Sequence, residues 1–196
     1  MSDAIRPTDE DLLALARAGD QRAMRRIVER YEGKVAATVI GMLGSGPEAD
    51  DVGQETFIRF YKAIDKFRGE SSLGTYLTRI AINQSLKALR RRRKWHERFL
   101  SRDDEIVSID ERAEDGESVA EEADRRGLVH TALQKLNPDQ RAVAVLRYME
   151  GYSTKETAAI LGVPEGTIMS RLSRATDKLG DILRPVLEPP KINDEG

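Results

Sequence analysis

The sequence predicts an all-helical protein of two small domains, and three observations carry that prediction. From Thr8 onward apolar residues recur at the three- and four-residue spacing of helices, with no alternating strand-like run. Capping residues, prolines and glycines fall where such helices would start and stop. Between residues 97 and 126 the apolar pattern lapses into an acidic stretch.

The first helix is expected over Thr8 to Ala18, with Thr8 as N-cap and Asp9, Glu10 and Asp11 in the first turn, where carboxylates suit the helix dipole. A second runs from about Gln21 to Leu43 with Ala23, Ile27, Tyr31, Val35 and Val39 inward, and Gly44-Ser45-Gly46-Pro47 closes it. The third, Pro47 to Asp65, opens on proline and acids, and buries Ala49, Val52, Thr56, Phe57, Phe60 and Ile64. Gly53 costs this helix on the order of 1 kcal/mol relative to alanine. After the loop Phe67 to Ser72, a fourth helix carries Leu73, Leu77, Ile80, Ala81 and Ala88 inward and emerges into Arg90-Arg91-Arg92-Arg93-Lys94.

Charge then segregates. From Lys87 to Arg102, eight cations against Glu97 alone give about plus 7, whereas from Asp103 to Asp124 eleven acids against Arg112 give about minus 10. Residues 97–126 therefore read as a flexible acidic linker. The first domain spans 8–96 and the second 127–184, with a disordered tail at 185–196. In the second domain helices are expected over Leu128 to Leu136, from Asn137-Pro138 through Tyr148, over Ser153 to Leu161, and from Glu165 to about Leu183.

Composition excludes several classes of function. The 196 residues hold 0 Cys and 2 His, so no disulfide, thiolate nucleophile or zinc site is expected. No Walker glycine loop or G-x-S-x-G elbow is present, so no catalytic residue, metal or cofactor is expected. No run of apolar residues approaches the roughly 18 of a membrane span, and the acidic start is unlike a secretory signal, which predicts a cytoplasmic protein without membrane insertion. With a net charge of minus 2, any nucleic-acid contact must come from local patches.

One such patch is a helix-turn-helix. Ser153-Thr154-Lys155-Glu156 has capping-box form, Gly162-Val163-Pro164 makes a turn, and the next helix puts Ile168, Leu172, Ala175 and Leu179 on one face. Thr167, Ser170, Arg171, Arg174 and Lys178 are left on the other, where arginine can bond guanine in the major groove. Two amphipathic helices with a merely solvated basic face are the plainer alternative.

The motifs Asp50-Asp51-Val52-Gly53-Gln54-Glu55-Thr56-Phe57, Phe67-Arg68-Gly69-Glu70 and Thr75 to Asn83, followed by the arginine run, resemble region 2 of bacterial extracytoplasmic-function sigma factors. Leu136 to Arg141, Tyr148 to Ser153 and Gly166 to Leu172 resemble their region 4. The resemblance covers roughly residues 10 to 95 and 125 to 180. It implies a dissociable RNA polymerase subunit, built of a region 2 helical bundle and a region 4 helix-turn-helix, that selects promoters and helps open them. Asp51, Gln54, Glu55 and Ile58 would dock on the clamp helices of the largest polymerase subunit, with the polymerase flap as a further contact. Lys66, Arg68, Ser71, Tyr76, Arg79 and Asn83 would hold the opened minus-ten strand, where the family commonly has tryptophan in place of Tyr76. Arg90, Arg91, Arg92, Arg93 and Lys94 would neutralise phosphates. The ridge from Thr167 to Lys178 would read the minus-thirty-five element. The expected partners are core RNA polymerase, promoter DNA and an anti-sigma factor. The two DNA elements lie about 70 Å apart, at roughly 35 Å per turn. A stand-alone helix-turn-helix regulator is the alternative.

Overall fold

The computed structural model describes residues 7–99 and 119–187, and every element within them is helical. Helix α1 (Asp9–Arg17) begins on a capping box: the Thr8 N–H donates to Asp11 Oδ2 at 2.9 Å, and the Asp11 N–H donates to Thr8 Oγ1 at 3.2 Å. These bonds from Thr8 hold the Asp11 carboxyl below the usual range. Asp9 fastens α1 to α2 (Gln21–Leu43), accepting from Arg30 at 2.6 Å and from the Tyr31 hydroxyl. Pro47 opens α3 (Pro47–Ala63), and a 3-10 turn (Ile64–Lys66) follows, so the last residues of the expected third helix tighten into a separate turn. Helix α4 (Leu73–Phe99) then crosses both α2 and α3. Leu12, Ile27, Val39, Phe60 and Leu77, each 1% exposed or less, form the centre of this four-helix core.

The second half comprises α5 (Val119–Gln134), α6 (Pro138–Ala144), a π-helical turn (Val145–Met149), α7 (Thr154–Leu161) and α8 (Glu165–Leu187). Two expected boundaries move. The linker read over 97–126 is entered from both ends, by α4 to Phe99 and by α5 from Val119. Acidic composition masks helix-forming character there: Ala120 and Ala123 favour a helix, and Glu121/Arg125 and Glu122/Arg126 stand at the supporting i, i+4 spacing. Residues 100–118 lie outside the described residues. Helix α8 also continues past Pro185, expected to begin the tail, to Leu187, although proline cannot donate to the carbonyl four residues back. The rest of the tail, from Glu188, lies outside the described residues.

The two halves are not merely tethered; they share a core. Helix α4 has two apolar faces. Leu77, Ala81 and Ala88 serve the first bundle, whereas Ile82 and Leu86, with Met42 of α2, pack against Leu133, Leu136, Ala142, Val145, Leu146 and Tyr152. Burying each of the larger side chains contributes roughly 1.5–3 kcal/mol. Gly41 of α2 permits the approach, since a Cβ there would lie 3.0 Å from both Met149 Sδ and a Val145 methyl.

Polar groups cross the same seam. Glu150, its side chain 6% exposed, accepts from Lys34 Nζ at 2.7 Å and from Thr38 Oγ1 at 2.8 Å. Lys34 also sits 5.1 Å from the Tyr152 ring centroid, and the Tyr152 hydroxyl bonds Thr78 of α4 at 3.2 Å. Arg141, 6% exposed, donates to the Met42 carbonyl at 2.6 Å and to the Gln134 and Leu136 carbonyls. Burial, with the nearby Arg92 charge added, pulls its guanidinium down to about 10.

Candidate functional site

On α3 the buried row Ala49, Val52, Thr56 and Phe60 turns the opposite face outward. Asp51 and Gln54 are exposed there and Ile58 is 45% exposed, so three of the four residues expected to form a docking face stand together on open surface. Glu55 is half-buried and takes Arg59 Nε at 2.7 Å. Tyr61, 55% exposed and one turn beyond Ile58, extends the patch. Its i+3 spacing from Ile58 was the available signal. Nothing lies within 4 Å of where a Gly53 Cβ would stand. Gly53→Ala is therefore expected to raise unfolding stability by up to about 1 kcal/mol, read by urea melting.

The loop after the 3-10 turn presents Lys66, Arg68 and Ser71 to solvent, with Gly69 at φ 74° at its tip. Ser72 ends it as a cap, its Oγ accepting from the Thr75 N–H at 3.1 Å. Tyr76 is half-buried, 4.9 Å between centroids from Phe67 and 6.3 Å from Phe60, so part of its ring belongs to the core. Its remaining surface opens into a groove of about 370 Å³ between α3 and α4, where Glu55, Arg59 and Lys62 face Tyr76, Ile80 and Asn83. The groove thus joins Glu55, expected on one surface, to Tyr76 and Asn83, expected on another. Arg59 and Lys62, at i+4 and i+7 from Glu55, are cations that the sequence reading did not assign.

Along α4, at 100° per residue, Tyr76, Asn83, Lys87, Arg90 and Lys94 fall within an arc of about 60°. At 1.5 Å per residue this stripe runs for about 27 Å. Asn83, Lys87, Arg90 and Lys94 are exposed, as is Arg79 on the flank. The arginine run does not act as a block. Arg91 reaches Glu48 of α3 at 3.2 Å, Arg93 pairs with Glu97 at 3.0 Å, and Arg92 lies on the side of the helix toward Arg141.

In the second half the helix-turn-helix takes its expected form. Ser153 and Glu156 complete the capping box at the start of α7, and Gly162 ends it in the left-handed region at φ 66°. Ile168 and Ala175 of α8 are fully buried, and Leu172 and Leu179 half-buried. Ser170, Arg174 and Lys178 are exposed, whereas Thr167 is half-buried and accepts from Ser170 Oγ through its carbonyl at 3.0 Å. Arg171 departs from the expected ridge: its side chain is 24% exposed and bonds Asp139 of α6 at 2.8 Å. The reason is helical phase, since Arg171 stands at i+3 from Ile168 and i−4 from Ala175 and so lies at the edge of the buried face. Met169, 64% exposed, and Ser173 stand on the outer surface beside Ser170 and Arg174. The signal for Met169 was helical phase, since one position past Ile168 lies about 100° around the helix from it.

A cationic helix stripe beside an aromatic groove, joined to a helix-turn-helix with an exposed polar ridge, is the arrangement of a helical DNA-binding protein. Comparison with known proteins narrows the class. Residues 27–95 match Sigma-70 region 2, and residues 126–179 match Sigma-70, region 4. The chain is 34% identical over 184 residues to the RNA polymerase sigma-H factor of Pseudomonas aeruginosa, covering 91% of this chain and 95% of that protein. It is 34% identical over 189 residues to the ECF RNA polymerase sigma-E factor of Salmonella typhimurium, covering 92% and 96%. Among solved structures it resembles the sigma factor RpoE in complex with the anti-sigma factor NepR from Bartonella quintana, with TM-score 0.64 and 26% identity over 82% of this chain and 96% of that one. The chain belongs to the sigma-70 family as an extracytoplasmic-function RNA polymerase sigma factor, a factor for transcription initiation.

Proposed function

We propose that the chain's two halves divide the work of initiation: the first, residues 8–96, docks on core RNA polymerase and opens the minus-ten element, and the second, residues 127–184, reads the minus-thirty-five element. The patch of Asp51, Gln54, Ile58 and Tyr61 meets the polymerase clamp helices. The loop at Lys66, Arg68 and Ser71 and the stripe of Tyr76, Asn83, Lys87, Arg90 and Lys94 take the non-template strand. A base leaving the stack loses a few kcal/mol, which stacking in the groove and phosphate neutralisation on α4 offset without ATP. In this reading the protein acts by binding, in the cytoplasm and not as an enzyme, and an anti-sigma protein is its natural antagonist. Among the described residues no helix is long and apolar enough to cross a membrane.

The observation that carries the reading is the presence of two chemically distinct surfaces on one small bundle: an acid, amide and apolar patch on α3, and a cationic stripe on α4 with an aromatic groove between the two helices. On α8, Ser170, Ser173 and Arg174 carry base and phosphate contacts, and Met169 offers an apolar end suited to a thymine methyl.

Run-off transcription with core polymerase on genomic fragments tests the division. Ile58→Asp is expected to weaken core association at least tenfold, as loss of a central anchor does. Arg174→Ala is expected to leave core association intact and to cost about tenfold in use of the upstream element, with Arg171→Ala costing less because Asp139 already holds that guanidinium. Specific duplex binding by the free protein, with no sedimentation beside core polymerase, would favour the stand-alone regulator instead.

A further inference from the structure

Arg17, the last residue of α1, reaches across the bundle to the backbone from which the promoter-facing loop departs. Its Nε donates to the Ile64 carbonyl at 3.2 Å, and its Nη2 donates to the Phe67 carbonyl. These two acceptors bracket the exit of the 3-10 turn, where the Phe67 N–H also bonds the Ile64 carbonyl at 3.3 Å. Phe67 itself is extended (φ −72°, ψ 110°), and its ring, 7% exposed, packs on Tyr76. One planar guanidinium thus fixes both the direction in which residues 67–72 leave the bundle and the height of Phe67 against the aromatic face of the groove. Lysine has a single donating nitrogen and cannot span both carbonyls as the fork does.

We propose that Arg17 is a positioning residue for promoter opening: by holding the Ile64 and Phe67 carbonyls it sets Arg68, Ser71 and the Phe67–Tyr76 pair where an unstacked base is received. This inference rests on the reading of the 67–72 loop given above. Its effect falls on DNA opening alone, because the α3 docking patch and the α8 ridge lie on other elements. Ordering the loop beforehand removes an entropic cost that would otherwise fall at the moment of base capture.

The test uses full-length protein assembled with core polymerase on a promoter identified by run-off transcription. For Arg17→Ala, permanganate reactivity of minus-ten thymines is expected to fall about tenfold, the scale of two charge-assisted hydrogen bonds only partly replaced by water. Core association is expected to stay within twofold of wild type. Transcription is expected to return to within twofold of wild type on the same promoter carrying a pre-mismatched minus-ten bubble, a rescue that general loss of structure would not give. Arg17→Lys keeps charge and helix propensity and is expected to fall between wild type and Arg17→Ala; it decides the matter if the alanine variant fails to fold. Wild-type opening in both variants, or no rescue on the bubble, overturns the role of Arg17. Wild-type opening by Arg68→Ala and Ser71→Ala would instead overturn the reading of the loop, so the two failures are separable.

Discussion

Arg141→Met is expected to destabilise the chain by about 3–5 kcal/mol, the scale of leaving several buried carbonyl acceptors without a donor. Arg141 looks like a surface residue in the run Leu136-Asn137-Pro138-Asp139-Gln140-Arg141, yet it is 6% exposed and gives its hydrogens to the carbonyls of Met42, Gln134 and Leu136 and to the Gln134 side-chain oxygen at 2.5 Å. Its own desolvation is costly, as the fall of its guanidinium to about 10 shows. The charge is tolerated because it satisfies acceptors that would otherwise be buried unpaired. Methionine fills the volume and provides no donor, so each orphaned acceptor costs about 1–3 kcal/mol, with relaxation recovering part. Urea unfolding followed by far-ultraviolet circular dichroism measures the loss. A change under about 1 kcal/mol would mean that water replaces the guanidinium without penalty.

Residues read singly revealed most of each half; the seam between the halves was hidden. The α3 row Ala49, Val52, Thr56 and Phe60, the Ser153–Glu156 box, the left-handed turn at Gly162 and the buried face of α8 all follow from local rules of spacing and capping, and the structure contains them. Periodicity does not tell which partner an apolar face meets. On α4 it cannot separate Leu77, Ala81 and Ala88, which serve one bundle, from Ile82 and Leu86, which serve the shared core. Pairings across long sequence separations are silent for the same reason: Glu150 and Lys34 are 116 residues apart, and Arg141 and Met42 are 99 apart. At the candidate site, exposure along α8 was legible for Ser170, Arg174 and Lys178. It failed for Arg171, because an acid on another helix captured it, and Met169 was left unassigned.

Lys34→Met is expected to loosen the packed arrangement of the two halves by about 3 kcal/mol, or roughly 150-fold in the ratio of closed to open forms. The value falls at the low end for a stranded charge because Thr38 Oγ1 continues to donate to Glu150. Glu150→Gln removes the counter-charge of Lys34, but that ammonium is 34% exposed and keeps a neutral acceptor, so closure is expected to loosen by about tenfold at most. For Lys34, burial opposes the charge, yet the hydrogen bond and negative charge of Glu150 win and raise the ammonium above its ordinary 10.5. A raised folded-state value means that the pair's contribution is complete below pH 10.5 and is lost as pH climbs through the raised one. Closure in the wild type is therefore expected to loosen as pH rises into strong alkali, and Lys34→Met to lack that transition. Energy transfer between dyes on cysteines introduced at the exposed Glu29 and Lys155 reads both effects, since the chain has 0 Cys of its own. Unchanged transfer in Lys34→Met would show that the apolar core alone maintains closure.

Closure bears directly on the proposed function. A compact chain of this length has a radius of gyration of about 16 Å and spans roughly 40–45 Å, short of the ~70 Å between the two promoter elements. The halves must therefore part before α4 and α8 can engage one promoter together. A protein whose competent form is only fractionally populated binds with its affinity reduced by that fraction. Lys34→Met, which favours the open form without touching the α3 patch, the α4 stripe or the α8 ridge, is accordingly expected to bind core polymerase and promoter more tightly than wild type. The gain should approach the factor by which closure is loosened, until the open form predominates. Titration of labelled protein with core polymerase on promoter DNA measures it, and equal or weaker binding by the variant would mean that the packed arrangement is itself competent for assembly.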